Sequence, residues 1–260
     1  MKRAILTEKE GNILDNIIVK FGMVVAFQQI LDELKGELNR EYVRKMVSKL
    51  VENGWLVRLK NGVYGVSDLF NRGNVTFNQY VIANTINANS YVSFGLALQY
   101  YGMYDQLLTT VTSVSFVRSR DQTVSGFKYS YITTQKKFFF GFENVNLGNT
   151  NARIASVEKA LIDMIQYSRT ALSVDMVIEK LKDHKDQIDF VRLEEYLKKS
   201  PLSVVKVFGF IFDLLKIDSE NLYEFTKKNR SVVLIDKESE EYNSRWNVYY
   251  NKIFNKYLWI

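Results

Sequence analysis

The sequence predicts an α+β protein, and three observations carry that expectation. Apolar residues recur at helical spacing in three successive segments before residue 54. An Asn61-Gly62 pair set between two apolar runs follows at once, which is a hairpin signal. Beyond residue 88, helical segments alternate with β-branched, alternating stretches and then give way to mainly helical ones. That order fits a small antiparallel sheet with helices gathered around it.

The first helix is expected over residues 7–21, where Ile13, Leu14, Ile17, Ile18 and Phe21 line one face and Gly22 follows as a stop. Residues 23–25 form a short β-branched piece, after which Phe27, Ile30, Leu31 and Leu34 keep helical spacing up to the turn at Lys35-Gly36. In the third segment Asn39 is a good N-cap, and Val43, Met46, Val47, Leu50 and Val51 form an apolar stripe that Gly54 ends. At about 100° per residue, Glu41, Lys45, Ser48 and Glu52 fall opposite that stripe, flanked by Arg44 and Lys49. Strands are expected at 55–59 and 63–66, joined by Lys60-Asn61-Gly62 in a type I′ turn, which needs φ > 0 at both central residues.

Helix, helix, basic helix and tight hairpin is the order of a winged helix-turn-helix, expected over residues 1–67. Its third helix would enter the major groove of double-stranded DNA. Arg40, Glu41, Arg44 and Lys45 are the candidates for base or near-base contact, since Arg holds guanine bidentately and Glu accepts from cytosine. Ser48 and Lys49 are candidates for phosphate contact, and Arg58, Lys60 and Asn61 stand on the wing. The competing reading is a winged helix used for protein contact, with a merely solvated charged face.

Residues 68–88 read as a polar, Asn-rich connector ending in a helix, with a domain boundary near 70, and residues 89–260 as a second domain. Within it, residues 90–103 read as helix, 110–118, 127–134 and 138–140 as strands, and 154–167 as helix. Helices are expected at 173–182, 189–199, 203–216 and 220–228, and short strands at 232–235 and 246–250.

Composition narrows the chemistry. Cysteine is absent and His184 is the single histidine, so Cys/His zinc sites and cysteine or serine-histidine catalysis lack their parts. No metal, cofactor or catalytic residue is expected. No apolar run approaches the roughly 18–20 residues of a membrane span, and the start carries no signal-like stretch, so a cytosolic protein is expected. The net charge is +6. Residues 1–66 hold 11 Lys/Arg against 8 Asp/Glu, 67–153 hold 7 against 4, and 154–260 hold 17 against 17, so the excess lies in the first three-fifths. A mild excess of this kind favours a polyanionic partner without identifying it.

The stretches YVSFGLALQYYGM (91–103), FKYSYITTQKKFFFG (127–141), IASVEKALIDMI (154–165), VVKVFGFIFDLL (204–215) and YNSRWNVYYN (242–251) occur in an order that resembles the AbiEi family across nearly the whole chain. Members of that family are transcriptional regulators and antitoxins of abortive-infection phage-defence systems. Tyr101, Val157 and Phe208 depart from its usual residues. The resemblance implies an N-terminal winged helix that represses its own operon at inverted repeats in the promoter. It also implies a C-terminal domain that counteracts a nucleotidyltransferase-like toxin encoded beside it, without requiring a stable complex. The competing readings are a ligand-responsive regulator with a C-terminal sensor domain and a DNA-cleaving enzyme that the winged helix targets.

Other polar groups are weighed against structural roles. Glu158 and Lys159 are neighbours and diverge on a helix, whereas Asp163 lies four residues after Lys159 and suits a simple ion pair rather than a cleavage site. Asp121 and Glu143 are expected in loops. Arg118, Arg120, Lys128, Lys136 and Lys137 surround the middle strands, either as solvated strand ends or as an extension of the DNA footprint. His184, between Asp183 and Lys185, is expected at the surface.

Overall fold

A computed structural model describes residues 6–67, 78–147 and 150–257. It begins with α1 (Glu8–Phe21), held by a reciprocal capping box between Thr7 and Glu10 and ended at Gly22. β1 (Val24–Ala26), α2 (Phe27–Glu33), α3 (Arg40–Glu52), β2 (Leu56–Lys60) and β3 (Val63–Val66) follow. The Asn39 side chain accepts from the Tyr42 amide at 2.8 Å and so satisfies one of the orphan donors at the start of α3. The three strands form an antiparallel sheet in the order β1-β3-β2.

The hairpin differs from the expected type I′ turn. Gly62 alone of the central pair has positive φ, 71°, and the β2–β3 register shifts between Arg58 and Lys60. A glycine in the left-handed region beside a bulge closes the loop and leaves Asn61 unstrained. The Gly62 carbonyl accepts from the Phe27 amide at 2.7 Å, which ties the turn to the start of α2.

This sheet is apolar on both faces. Val25, Leu56, Tyr64 and Val66 pack under the helices with Ile13, Ile17, Ile30, Val43, Val47 and Leu50. Val24, Val57 and Leu59 face the other way and join the large core of the following residues. That core starts at α4 (Gln79–Ile86), which buries Tyr80, Val81, Ile82, Ala83 and Ile86. The connector's helix is therefore a core element, while the expected boundary near residue 70 lies outside the described residues.

Next come β4 (Ser90–Val92), α5 (Phe94–Tyr100), β5 (Thr110–Ser115), β6 (Gln122–Val124), β7 (Phe127–Thr133), β8 (Phe142–Asn146) and β9 (Asn151–Ala155). They make a six-stranded sheet in the order β6-β7-β5-β4-β9-β8. The β5–β7 and β4–β9 pairs are parallel and the other three antiparallel, so the sheet is mixed. Residues 90–92, expected as the start of a helix, are instead a fully buried strand between β5 and β9. Residues 138–140, expected as a strand, are instead the end of a 3₁₀ turn at Lys136–Phe138 and the two irregular residues that lead on toward β8. There Phe139 meets Tyr91, Phe116 and Phe142, with ring centroids 4.7–5.2 Å apart.

The remaining chain is mainly helical: α6 (Val157–Tyr167), α7 (Ala171–Asp183), α8 (Phe190–Lys198), α9 (Leu202–Leu214) and α10 (Glu220–Thr226). α6 and α9 are buried over nearly their whole length, as expected of helices with little polar surface to spare. A last small sheet joins β10 (Val233–Leu234), β11 (Glu241–Asn243) and β12 (Val248–Tyr250) in the order β10-β12-β11. Among the described residues no helix is long and apolar enough to cross a membrane.

Candidate functional site

Helix α3 presents the most coherent polar face among the expected site residues. Val43, Met46, Val47 and Leu50 are buried, while Arg40, Glu41, Arg44, Lys45, Ser48 and Lys49 are all exposed. Packing thus fixes the rotation of the helix and turns the charged face outward. Glu41 and Lys45 form an i,i+4 ion pair at 2.9 Å with both side chains 77% exposed, a contact worth only about 0.3–0.5 kcal/mol. Lys49 reaches across to Glu10 of α1 at 3.0 Å. The Thr7 amide bonded to the Glu10 carboxylate, together with Lys49, holds that carboxyl below its usual range against a smaller opposing effect of burial. Arg40 and Arg44 take part in no ion pair among the described residues.

Arg58, Lys60 and Asn61 stand on the β2–β3 hairpin, with Arg58 and Asn61 exposed and Lys60 half-buried. Tyr42 escaped the sequence reading. It is 54% exposed and shares a groove between α1 and α3 with Lys45 and Lys49. Its signal was an aromatic residue off the apolar stripe.

Of the mid-chain basic residues, Arg118, Arg120, Lys128, Lys136 and Lys137 are all exposed. Lys128 is paired with Asp121 at 3.0 Å. Asp121 lies just before β6, whereas Glu143 lies within β8 rather than in a loop. His184 is half-buried at the end of α7.

The carboxylate–lysine cluster on α6 is different in kind from a surface pair. Glu158, Lys159 and Asp163 are all fully buried. Lys159 Nζ meets Asp163 Oδ1 at 2.5 Å, the i,i+4 pairing the spacing suggested. The other Asp163 oxygen accepts from Ser93 Oγ at 2.7 Å and from Tyr91 Oη at 3.0 Å. Burial pushes the Asp163 carboxyl up, and Lys159, Ser93 and Tyr91 oppose it. The Lys159 ammonium also lies 4.8 Å from the Phe140 ring centroid. Glu158 points elsewhere, to α8, where it accepts from the Asp189 amide and from Arg192, each at 3.0 Å. With every charged atom enclosed, the group positions β4, α6 and α8 and offers no reacting atom to solvent. Among the described residues no group of three or more His, Asp or Glu is placed to hold a metal ion.

The five stretches singled out in the sequence meet in space. Those at 91–103, 127–141 and 154–165 converge on the Asp163 cluster through Tyr91, Ser93, Phe140 and Lys159. Those at 204–215 and 242–251 converge on Trp246, whose ring lies so close over Gly209 that a Cβ there would fall inside it. Trp246 Nε1 donates to Asp213 at 2.7 Å, and Arg245 bridges Asp213 and Glu220. A separate cleft of about 510 Å³ opens between β5, β7 and the helices α5–α7.

These elements define a mixed α+β protein with small sheets and a helical C-terminal part. Its fold matches that of the RV2827C protein from Mycobacterium tuberculosis, with a TM-score of 0.64 and 13% identity over 94% of this chain and 92% of that chain. At that identity the likeness concerns the fold alone. No protein-family model matches the chain, and no curated protein matches it.

Proposed function

We propose that the protein is a non-enzymatic, sequence-specific DNA-binding repressor of its own operon, and that it is also the antitoxin to a nucleotidyltransferase-like toxin encoded beside it. The observation that carries the first half is the α3 face: six polar or charged side chains exposed on a helix whose opposite side is locked into a core. Residues 6–67 are read as a winged helix-turn-helix, with α3 as the recognition helix and the β2–β3 hairpin as the wing. In this reading Arg40 and Arg44, which have no ion pair to break among the described residues, reach base edges most readily. Lys45 exchanges its weak pair with Glu41 for DNA, Lys49 and Ser48 contact phosphates, and Arg58, Lys60 and Asn61 follow the backbone or minor groove. Tyr42 joins this surface from its α1-facing edge.

The antitoxin half rests on the AbiEi-like stretches of the sequence. The stretches at 154–165 and 204–215 are buried over nearly their whole length, which supports a role for them in building the domain.

The test is a binding titration on the protein's own upstream DNA at several salt concentrations. Arg44→Ala with Lys45→Ala is expected to abolish specific retention, and Lys49→Ala to lower the salt slope by roughly 0.9. Parent-like binding by the double variant would remove α3 from the interface. For the antidote role, the same double variant co-expressed with the adjacent toxin should still restore growth. Deleting residues 1–67 is a poorer test, because it strips Leu59 and Val57 from the large core. Loss of rescue in a folded, DNA-blind variant would count against separable roles.

A further inference from the structure

The cleft of about 510 Å³ falls within the roughly 300–1,000 Å³ of small-molecule sites. Its floor is formed by the buried side chains of Ser93, Leu96 and Met164, and one wall by Thr110 and Thr112 of β5 and Ser130 of β7. Phe94, Tyr104 and Tyr167 supply aromatic surface, and none of the seventeen lining residues is charged. Of the ionised groups around it, the Lys180 ammonium stands 5.9 Å from the Tyr104 ring centroid, outside the lining. Asp163 lies behind Ser93 and is neutralised by Lys159, while Asp121 beyond Ser130 is paired with Lys128.

A second observation falls on the same wall. Phe94 has φ 59°, a left-handed conformation that is a strained outlier for a bulky residue. It is held there because Ser93 is fastened on both sides, its amide to the Thr112 carbonyl at 3.1 Å and its hydroxyl to Asp163. Strain maintained in this way gathers at ligand clamps, and here it sets the Phe94 ring 6.5 Å from that of Tyr167.

We propose that the cleft binds an uncharged, ring-bearing small molecule, packed against the aromatic surface of Phe94 and Tyr167 and oriented by the Thr110, Thr112 and Ser130 hydroxyls. A charged ligand would lose hydration, and no lining side chain offers it a counter-charge. Aromatic rings and neutral hydroxyls suit a planar molecule with one polar edge. This site is independent of the DNA-binding reading.

The test uses the full chain with 2-naphthol and its anionic counterpart 2-naphthoate as probes, followed by saturation-transfer NMR and thermal shift. Saturable 2-naphthol binding is expected, with 2-naphthoate at least about tenfold weaker. Thr112→Phe, projecting from the sheet face into the cleft, should weaken 2-naphthol at least about tenfold while leaving the protein folded. Leu234→Ala, on the C-terminal sheet, should leave it unchanged. Should Thr112→Phe not fold, Ser130→Leu takes its place with the same expectation. Absence of saturable 2-naphthol binding, equal binding of the two probes, or undiminished binding to the cleft-filling variant would each overturn the proposal.

Discussion

At the scale of single residues, the most consequential group is Asp163 with its three partners. A carboxylate enclosed among Lys159, Ser93 and Tyr91 is tolerable only because each oxygen is bonded. Replacing Asp163 by Ala strands the Lys159 ammonium in the core, and a loss of about 3–5 kcal/mol is expected in urea unfolding. The double change Lys159→Met with Asp163→Leu removes both charges and should recover most of that loss. A small effect from Asp163→Ala would mean that water reaches the pair. The sequence suggested the i,i+4 pairing, since spacing alone decides which side chains share a helix face. It was silent on the burial, because Ser93 and Tyr91 arrive from residues 70 and 72 positions away.

At the scale of elements, α3 shows how a local pattern controls a surface. Its apolar stripe, its Asn39 cap and its stop were all readable, and each is where spacing put it. Asn39→Ala removes the acceptor for the Tyr42 amide and should cost about 0.5–2 kcal/mol of stability, measured by thermal or urea unfolding. Because that cap orders the turn bearing Arg40 and Glu41, DNA affinity in the proposed role should fall with it, while the salt slope stays unchanged. A changed slope would show that Asn39 itself acts at a phosphate. The hairpin beside α3 carries the complementary lesson. Asn61-Gly62 announced a turn correctly, yet its type depended on the bulge between Arg58 and Lys60, a property of the paired strands.

At the scale of the whole molecule, the small N-terminal sheet lies between two cores, with Val25 and Leu56 on one side and Val24, Val57 and Leu59 on the other. The face carrying α3 is thereby held against a large body instead of hanging on a free tether. The large core is rich in tyrosine. Burial pushes the phenols of Tyr80 and Tyr167 up to about 12, burial with a nearby Glu143 does the same for Tyr101, and Tyr91, Tyr129 and Tyr131 are raised further still. All six are neutral in the fold, whereas unfolded tyrosine ionises near 10. Their contribution to stability is therefore complete below about pH 10 and is lost as pH rises through the folded values. The melting temperature should hold through pH 9 and fall steeply above about 10, with the buried tyrosinate absorbance appearing together with unfolding. Titration of these phenols near 10 in a protein that stays folded would contradict their burial.

The sequence by itself determined the helices α1, α3 and α6 to α10, the hairpin and the outward polar face of α3. Those features follow from periodicity, caps and turn residues within a few positions of one another, so no distant partner is needed to specify them. Only the tertiary structure decided that residues 90–92 are a strand, that β6, β8 and β9 exist, and that the central sheet mixes parallel with antiparallel pairs. A three-residue strand has no period to read, and its conformation comes from the neighbours it pairs with. Tertiary packing alone also enclosed the α6 cluster and opened the cleft beside Phe94, because both are assembled from segments far apart along the chain.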